Sequence, residues 1–175
     1  MKTLVAGWFS FEGMGATAGD LLARDLACEW LREAGRSVEV AHAPPFSGGV
    51  DWRSVEPDGY QEVVFVCGPF GNGPPIDGFL ARFDATRLIG LDVSLLEPLE
   101  AWDPFEVLWE RDSSRGSRPD ISFAAPSSEV PVIGLVLVHK QREYEGGMHE
   151  EVGGGDRASA RGQGDGRHRD RYATR

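Results

Sequence analysis

The chain of 175 residues predicts an α/β fold with a mostly parallel sheet and helices on both faces. Three observations carry that reading. Short Val-rich runs alternate with a stretch of helical periodicity. The first run passes through a glycine-punctuated loop into a helix. The run Glu62–Cys67 is apolar at five of its six positions, as in a strand covered on both faces.

The elements follow in order. Lys2–Phe9 holds Val, Trp and Phe in a short apolar run and predicts the first strand. The loop Ser10–Asp20 carries Gly13, Gly15 and Gly19. Leu21–Ala34 then has one apolar stripe, with Leu22, Leu26 and Trp30 beside Ala23, Ala27, Leu31 and Ala34. Arg24, Asp25, Glu29, Arg32 and Glu33 face away. Thr17-x-x-Asp20 has the spacing of a capping box, and Gly35 suits the helix stop. Ser37–Ala43 predicts a second strand ended by Pro44-Pro45, and 46–60 reads as loop. Glu62–Cys67 is the third strand, Ile76–Phe83 a short helix, Arg87–Leu96 a fourth strand, Phe105–Trp109 a fifth and Glu129–His139 a sixth.

Composition bounds the function. Net charge is −10, which argues against a nucleic-acid grip or an anionic membrane surface. No apolar run approaches the roughly 20 residues that span a bilayer. The two cysteines, Cys28 and Cys67, form no disulfide framework, so a cytoplasmic location is the expectation. The charge is uneven. Residues 153–175 hold six Arg against three Asp, or +3, leaving 12 basic against 25 acidic groups, or −13, in 1–152. The tail has six Gly and no Leu, Ile, Val, Met, Phe, Trp or Cys, and predicts disorder.

In a parallel sheet, ligands gather beyond the carboxyl ends of the strands. Three loops are expected there. In the first, Gly13, Gly15, Gly19 and Asp20 either cradle an anion at a helix N-terminus or serve a flexible βα turn. His42-Ala43-Pro44 replaces the acidic residue that a nicotinamide site wants after strand two. Gly19-Asp20-Leu21 lacks the Lys and Ser/Thr of a P-loop. The second loop offers Gly68, Gly71, Asn72 and Gly73 as a ligand wall or a tight turn, with Cys67 as nucleophile or inert core thiol. In the third, Glu110–Arg115, Arg111 and Asp112 form either an anion clamp or a surface ion pair. No His/Cys spacing suggests a metal site, and no Gly-x-Ser-x-Gly elbow is present.

The order of these features resembles the polysaccharide pyruvyl transferase family. The resemblance rests on Leu4–Phe9 with Gly13, Gly15 and Gly19-Asp20, and on Val63–Gly68 with Gly71-Asn72-Gly73. Arg111-Asp112-Ser113, Pro119-Asp120 and Val132-Ile133-Gly134 complete the order, so it covers residues 3–140. The chain departs from the family in lacking the Gly-Asn pair of the first loop, and only Ser113–Arg118 separates Arg-Asp from Pro-Asp. The resemblance implies a Rossmann-like domain, half of a GT-B-like two-domain architecture. It implies transfer of a pyruvyl group from phosphoenolpyruvate to a saccharide as a ketal. The partners are then an anionic small-molecule donor and a saccharide acceptor, with no further cofactor. The cleft-lining residues are expected to be Gly13, Gly15, Gly19, Asp20, Gly68, Asn72, Arg111 and Asp112; in the family the basic residues for phosphoenolpyruvate and the catalytic His come largely from the second domain.

The expected organisation is therefore a Rossmann-like domain over 1–126, the first strand and start of an incomplete second domain over 127–152, and a disordered tail over 153–175. A truncation or frameshift replacing the second domain is one explanation for the tail, and a natural basic extension the other. Two rival functions stand beside the lead: another GT-B-type transferase using nucleotide-sugars, and a non-catalytic remnant or binding module.

Overall fold

The computed structural model describes residues 1–126. The expected sixth strand, second-domain start and tail lie outside them. Seven strands form one sheet: β1 Lys2–Ala6, β2 Ser37–Val40, β3 Glu62–Val66, β4 Pro69–Phe70, β5 Arg87–Leu95, β6 Val107–Ser113 and β7 Gly116–Ser117. Two α-helices accompany them, α1 Ala18–Glu33 and α2 Ile76–Arg82. The order is β2-β1-β3-β5-β6-β7, with β4 beside β5. Every pairing is parallel except β6 with the two-residue β7. The strand order reverses between β1 and β3, which makes their carboxyl ends the switch point of a doubly wound sheet.

The parallel arrangement demands cover on both faces, and β3 shows why. All five of its residues are buried. Val64 and Val66 join Val5 beneath Ala23, Ala27 and Cys28 of α1. Val63 and Phe65 join Leu4 and Ala6 beneath Ile76 and Phe79 of α2. One helix thus lies on each face, as the sequence predicts. The remaining crossovers, 41–61 and 96–106, contain no α-helix. Pro44, Pro45, Pro57, Pro98 and Pro104 interrupt them. Aromatic side chains supply the missing cover. Trp52 packs against Phe79 at 5.3 Å, and Phe105 against Phe70 at 4.7 Å. Arg82 secures the first crossover by donating from Nε to Trp52 O at 3.0 Å and from its terminal nitrogen to Val55 O.

Several boundaries differ from expectation. The first strand stops at Ala6 because Gly7–Ser10 turns, with Ser10 N–H donating to Gly7 O at 2.8 Å. Phe9 and Phe11 thereby enter different core clusters. Helix α1 begins at Ala18 rather than Leu21, since the Thr17–Asp20 capping box forms as spaced. Its buried stripe is narrower than predicted: Ala23, Leu26, Ala27 and Cys28 are buried, whereas Leu22 and Trp30 stay 40% and 39% exposed. The small alanines face the sheet. The fifth strand is shifted to Val107–Ser113, because Glu110, Arg111 and Asp112 keep side-chain partners while the backbone continues pairing with β5.

At the amino ends of the strands, Glu62 is 1% exposed. Its carboxylate accepts from Thr3 Oγ1 at 2.8 Å and faces Arg36 and Arg87 at 3.4 and 3.6 Å. This charge is fully partnered, so burial is tolerated. Replacing it removes charged hydrogen bonds but leaves two arginines that still reach water. Glu62→Ala is expected to lower the unfolding free energy by about 2 kcal/mol, read from urea denaturation.

Candidate functional site

Two groups of residues occupy the carboxyl end of the sheet. The first is a crevice of about 360 Å3 at the β1/β3 switch point. Ser10, Phe11, Glu12 and Met14 line one side; Trp52, Arg53, Pro74 and Pro75 line the other. Gly13 and Gly15 flank Met14 in this loop. Both have positive φ, 74° and 70°, and nothing lies within 4 Å of where a Cβ would stand. Backbone conformation, not packing, calls for glycine there. Trp52 Nε1–H donates to Ser10 O at 3.0 Å and fixes the indole at the crevice wall. Arg53 sits at the rim, forked onto Asp51 at 2.9 and 3.0 Å and 3.8 Å from Glu12.

The second group runs across the carboxyl ends of β3, β5 and β6. Asp20 Oδ2 accepts from Thr17 N–H at 2.6 Å and Thr17 Oγ1 at 2.8 Å, and its Oδ1 accepts from Cys67 Sγ at 3.0 Å. Asp20 is therefore committed to capping α1 and holding Cys67. Gly19 is an ordinary helical position whose added Cβ would meet only Thr17 Oγ1 at 3.5 Å. Cys67 has φ 52° and is buried. Burial, with the nearby carboxylates of Asp20, Asp92 and Asp120, pushes its thiol far above the ordinary range. It is poorly suited to act as a nucleophile.

Paired bulges place the charges. Between β5 and β6 the register skips Asp92 on one strand and Arg111 on the other. Asp92 adopts φ 60° and is 1% exposed. Its Oδ1 accepts from Ile121 N–H at 3.2 Å, while Oδ2 is buried without a partner among the described residues. Burial, then the Asp120 carboxylate, pushes its pKa up to about 6. Arg111 donates to Asp120 at 2.9 Å, Ser94 Oγ at 2.8 Å and Asp112 at 3.2 Å. Burial works against ionisation of Asp120, yet Ser122 N–H and Arg111 hold its carboxyl below the usual value. Asp112 also accepts from Ser94 Oγ at 2.9 Å.

The structure brings Asp20, Arg111 and Asp112 into this charged row and Gly13 and Gly15 to the crevice. It separates the other predicted residues. Trp8 fills the space above Gly68, where a Cβ would strike the indole, and Trp8 Nε1–H donates to Pro69 O at 2.9 Å. Gly68 is thus a packing position. Asn72 is exposed, with its backbone N–H on Glu97 at 3.0 Å. Asp92, Trp52 and Arg53 are not singled out by the linear reading. The signal for Asp92 is a lone charge inside an apolar strand; Trp52 and Arg53 have none, because a loop brings them in. Among the described residues, no group of three or more His, Cys, Asp or Glu is arranged to hold a metal, and no helix is long and apolar enough to cross a membrane. No family model, curated protein or solved structure matches the chain.

The raised pKa of Asp92 has a definite sign. Its folded-state value lies above the ordinary 3.8, so the folded protein holds the proton more tightly. The stability this contributes is complete below about pH 4 and is lost as pH rises through about 6. Asp92→Asn, which mimics the protonated form, is expected to melt several degrees above the parent at pH 8. The difference should close below pH 4 in parallel thermal scans.

Proposed function

We propose that residues 1–126 form the saccharide-facing domain of a pyruvyl transferase-like protein. The crevice at the β1/β3 switch point carries this reading. Trp52, Met14 and the two prolines give apolar surface for the C–H face of a sugar above the buried Phe11, and Glu12 and Arg53 give a polar rim for its hydroxyls. Its one cation, Arg53, is already forked onto Asp51. That balance favours a neutral sugar over phosphoenolpyruvate, so donor-binding charge is assigned elsewhere in the protein.

In the proposed reaction, a proton reaches the methylene carbon of phosphoenolpyruvate. One sugar hydroxyl adds to the resulting cationic carbon, and a second displaces inorganic phosphate to close the ketal. The domain contributes positioning: a sugar held against Trp52 presents two hydroxyls at a fixed angle, which removes orientational entropy from the attack.

A binding module without turnover is the second reading, favoured by one observation. The ionic groups of the charged row are mutually engaged: Arg111 with Asp112 and Asp120, and Asp20 with Thr17 and Cys67.

Calorimetric titration with hexoses and disaccharides, phosphoenolpyruvate and nucleotide-sugars tests both. Saccharide binding that Arg53→Ala and Met14→Ala weaken supports the crevice, and phosphate release from phosphoenolpyruvate with a bound saccharide supports transfer. Binding without release favours the module. Preference for nucleotide-sugars, or no saccharide binding, overturns the proposal.

A further inference from the structure

A second concavity lies on the α1 side of the sheet edge and shares no residue with the crevice. It is a groove of about 670 Å3 between α1, β2 and the loop Ser47–Val50. The edge is closed at its upper end by Val50, which bridges Ala41 in parallel and exchanges backbone hydrogen bonds with Val40 and His42 at 2.9 and 2.8 Å. Arg24, Cys28 and Arg32 form one line along α1, four residues apart, and border the groove.

The two arginines differ in a useful way. Arg24 is held in place: Nε and NH2 rest on Asp25 at 2.8 and 2.7 Å, NH1 lies 3.3 Å from His42 Nε2, and the guanidinium stands over Phe9 at 5.6 Å. Its side chain is only 18% exposed, yet each terminal nitrogen keeps a proton for another acceptor. Arg32 has no carboxylate partner among the described residues. Glu39 also borders the groove, but its carboxylate is engaged by Lys2 at 3.0 Å and Tyr60 Oη at 2.5 Å. Asp25 borders the groove as well, so its lining sets two arginines against two carboxylates; with Asp25 taken up by Arg24 and Glu39 by Lys2, the guanidinium of Arg32 is the charge left over.

His42 accepts from Arg24 at Nε2, so its proton stands on the buried Nδ1, which is packed against the backbone of the Ser47–Gly49 loop. Burial, followed by Arg24, holds the imidazole pKa below its ordinary value and keeps the ring neutral. Gly49 is pressed against Val40 O and His42 so closely that a Cβ would collide, and Gly48 has φ 86°. The loop consequently presents bare backbone beside the arginines.

We propose that this groove binds the phosphoryl group of a small phosphorylated molecule through Arg24, Arg32 and the Gly48–Gly49 backbone, with His42 orienting Arg24. Two guanidiniums and backbone donors together offer more hydrogen bonds than the two oxygens of a carboxylate use, and they suit three phosphate oxygens. The groove runs along the outer strand β2 and on past its end, from Val38 to His42, and the Gly48–Gly49 backbone lies at its far end. It stands independently of the saccharide reading of the crevice.

Calorimetry and thermal shift with inorganic phosphate and with ribose 5-phosphate, at ionic strength matched with NaCl, test the proposal on the full chain. Both probes are expected to bind and raise the melting temperature, with tighter binding of ribose 5-phosphate marking an ester site and equal binding marking free phosphate. Arg32→Ala, at an exposed position, and Arg24→Gln are each expected to weaken binding by about tenfold or more. Asp84→Asn, at an exposed turn outside both concavities, should leave it unchanged. A melting shift no larger than the NaCl control, or undiminished affinity in folded Arg32→Ala, overturns the proposal.

Discussion

Burial of β3 on both faces is the constraint from which the rest of the architecture follows. Its five residues lie between β1 and β5, and no position along it reaches water. Each face must then be sealed by something apolar. On one side α1 does so through Ala23, Ala27 and Cys28, and the small side chains bring the helix close to the sheet. On the other, the seven-residue α2 is too short, and the long crossovers contribute Trp52, Tyr60, Trp102 and Phe105. The aromatic crossover is therefore part of the core as well as a wall of the crevice. Structure and candidate function meet in Trp52, whose ring packs on Phe79 while its Nε1–H anchors the loop after β1.

The charged row at the carboxyl ends of β5 and β6 illustrates a different economy. Asp92 and Arg111 are each the extra residue at a register shift, so their side chains leave the regular in-and-out alternation of the strands. A left-handed non-glycine residue, a buried carboxyl and an oxygen with no partner among the described residues coincide at Asp92. Such strain persists only where surrounding contacts enforce it. Here the turn Ile121–Ala124 supplies them, capped by Asp120 and lying against α1. Two other buried carboxylates, one at each end of the sheet, are handled by complete partnering. Glu62 has Thr3, Arg36 and Arg87; Glu110, 1% exposed and held down to about pKa 2 by the Arg115 guanidinium, has a two-bond fork at 2.7 and 2.6 Å.

The linear reading recovered the elements that depend on local chemistry. Thr17 and Asp20 are spaced to satisfy each other's backbone donors, and that box forms. Val63–Val66 contain nothing but apolar residues, and they are covered on both sides. The fifth expected strand lies further along the chain than Phe105–Trp109, because apolar content locates a strand only while side chains pack. Beyond Trp109 the strand continues on backbone pairing and ion pairs, which leave no apolar signature. Likewise Gly68 carries the composition of a ligand loop, and only the position of Trp8 shows that it makes room for an indole.

What the sequence alone determined is the parallel α/β class, the capped first helix, the doubly covered central strand and the negative charge of the body. The first three rest on spacing within a few residues, and the charge on composition alone. Tertiary structure decided which polar groups are spent and which stay available. Asp20 is consumed by Thr17 and Cys67, 47 residues away from the latter, and Arg111 by Ser94 and Asp120. The crevice joins residues 10–14 to 52–53 and 74–75, and the groove joins α1 to the 47–50 loop. Hydrogen bonds and cavities are properties of distance in space, and the crossovers that set those distances carry no periodicity from which they can be read.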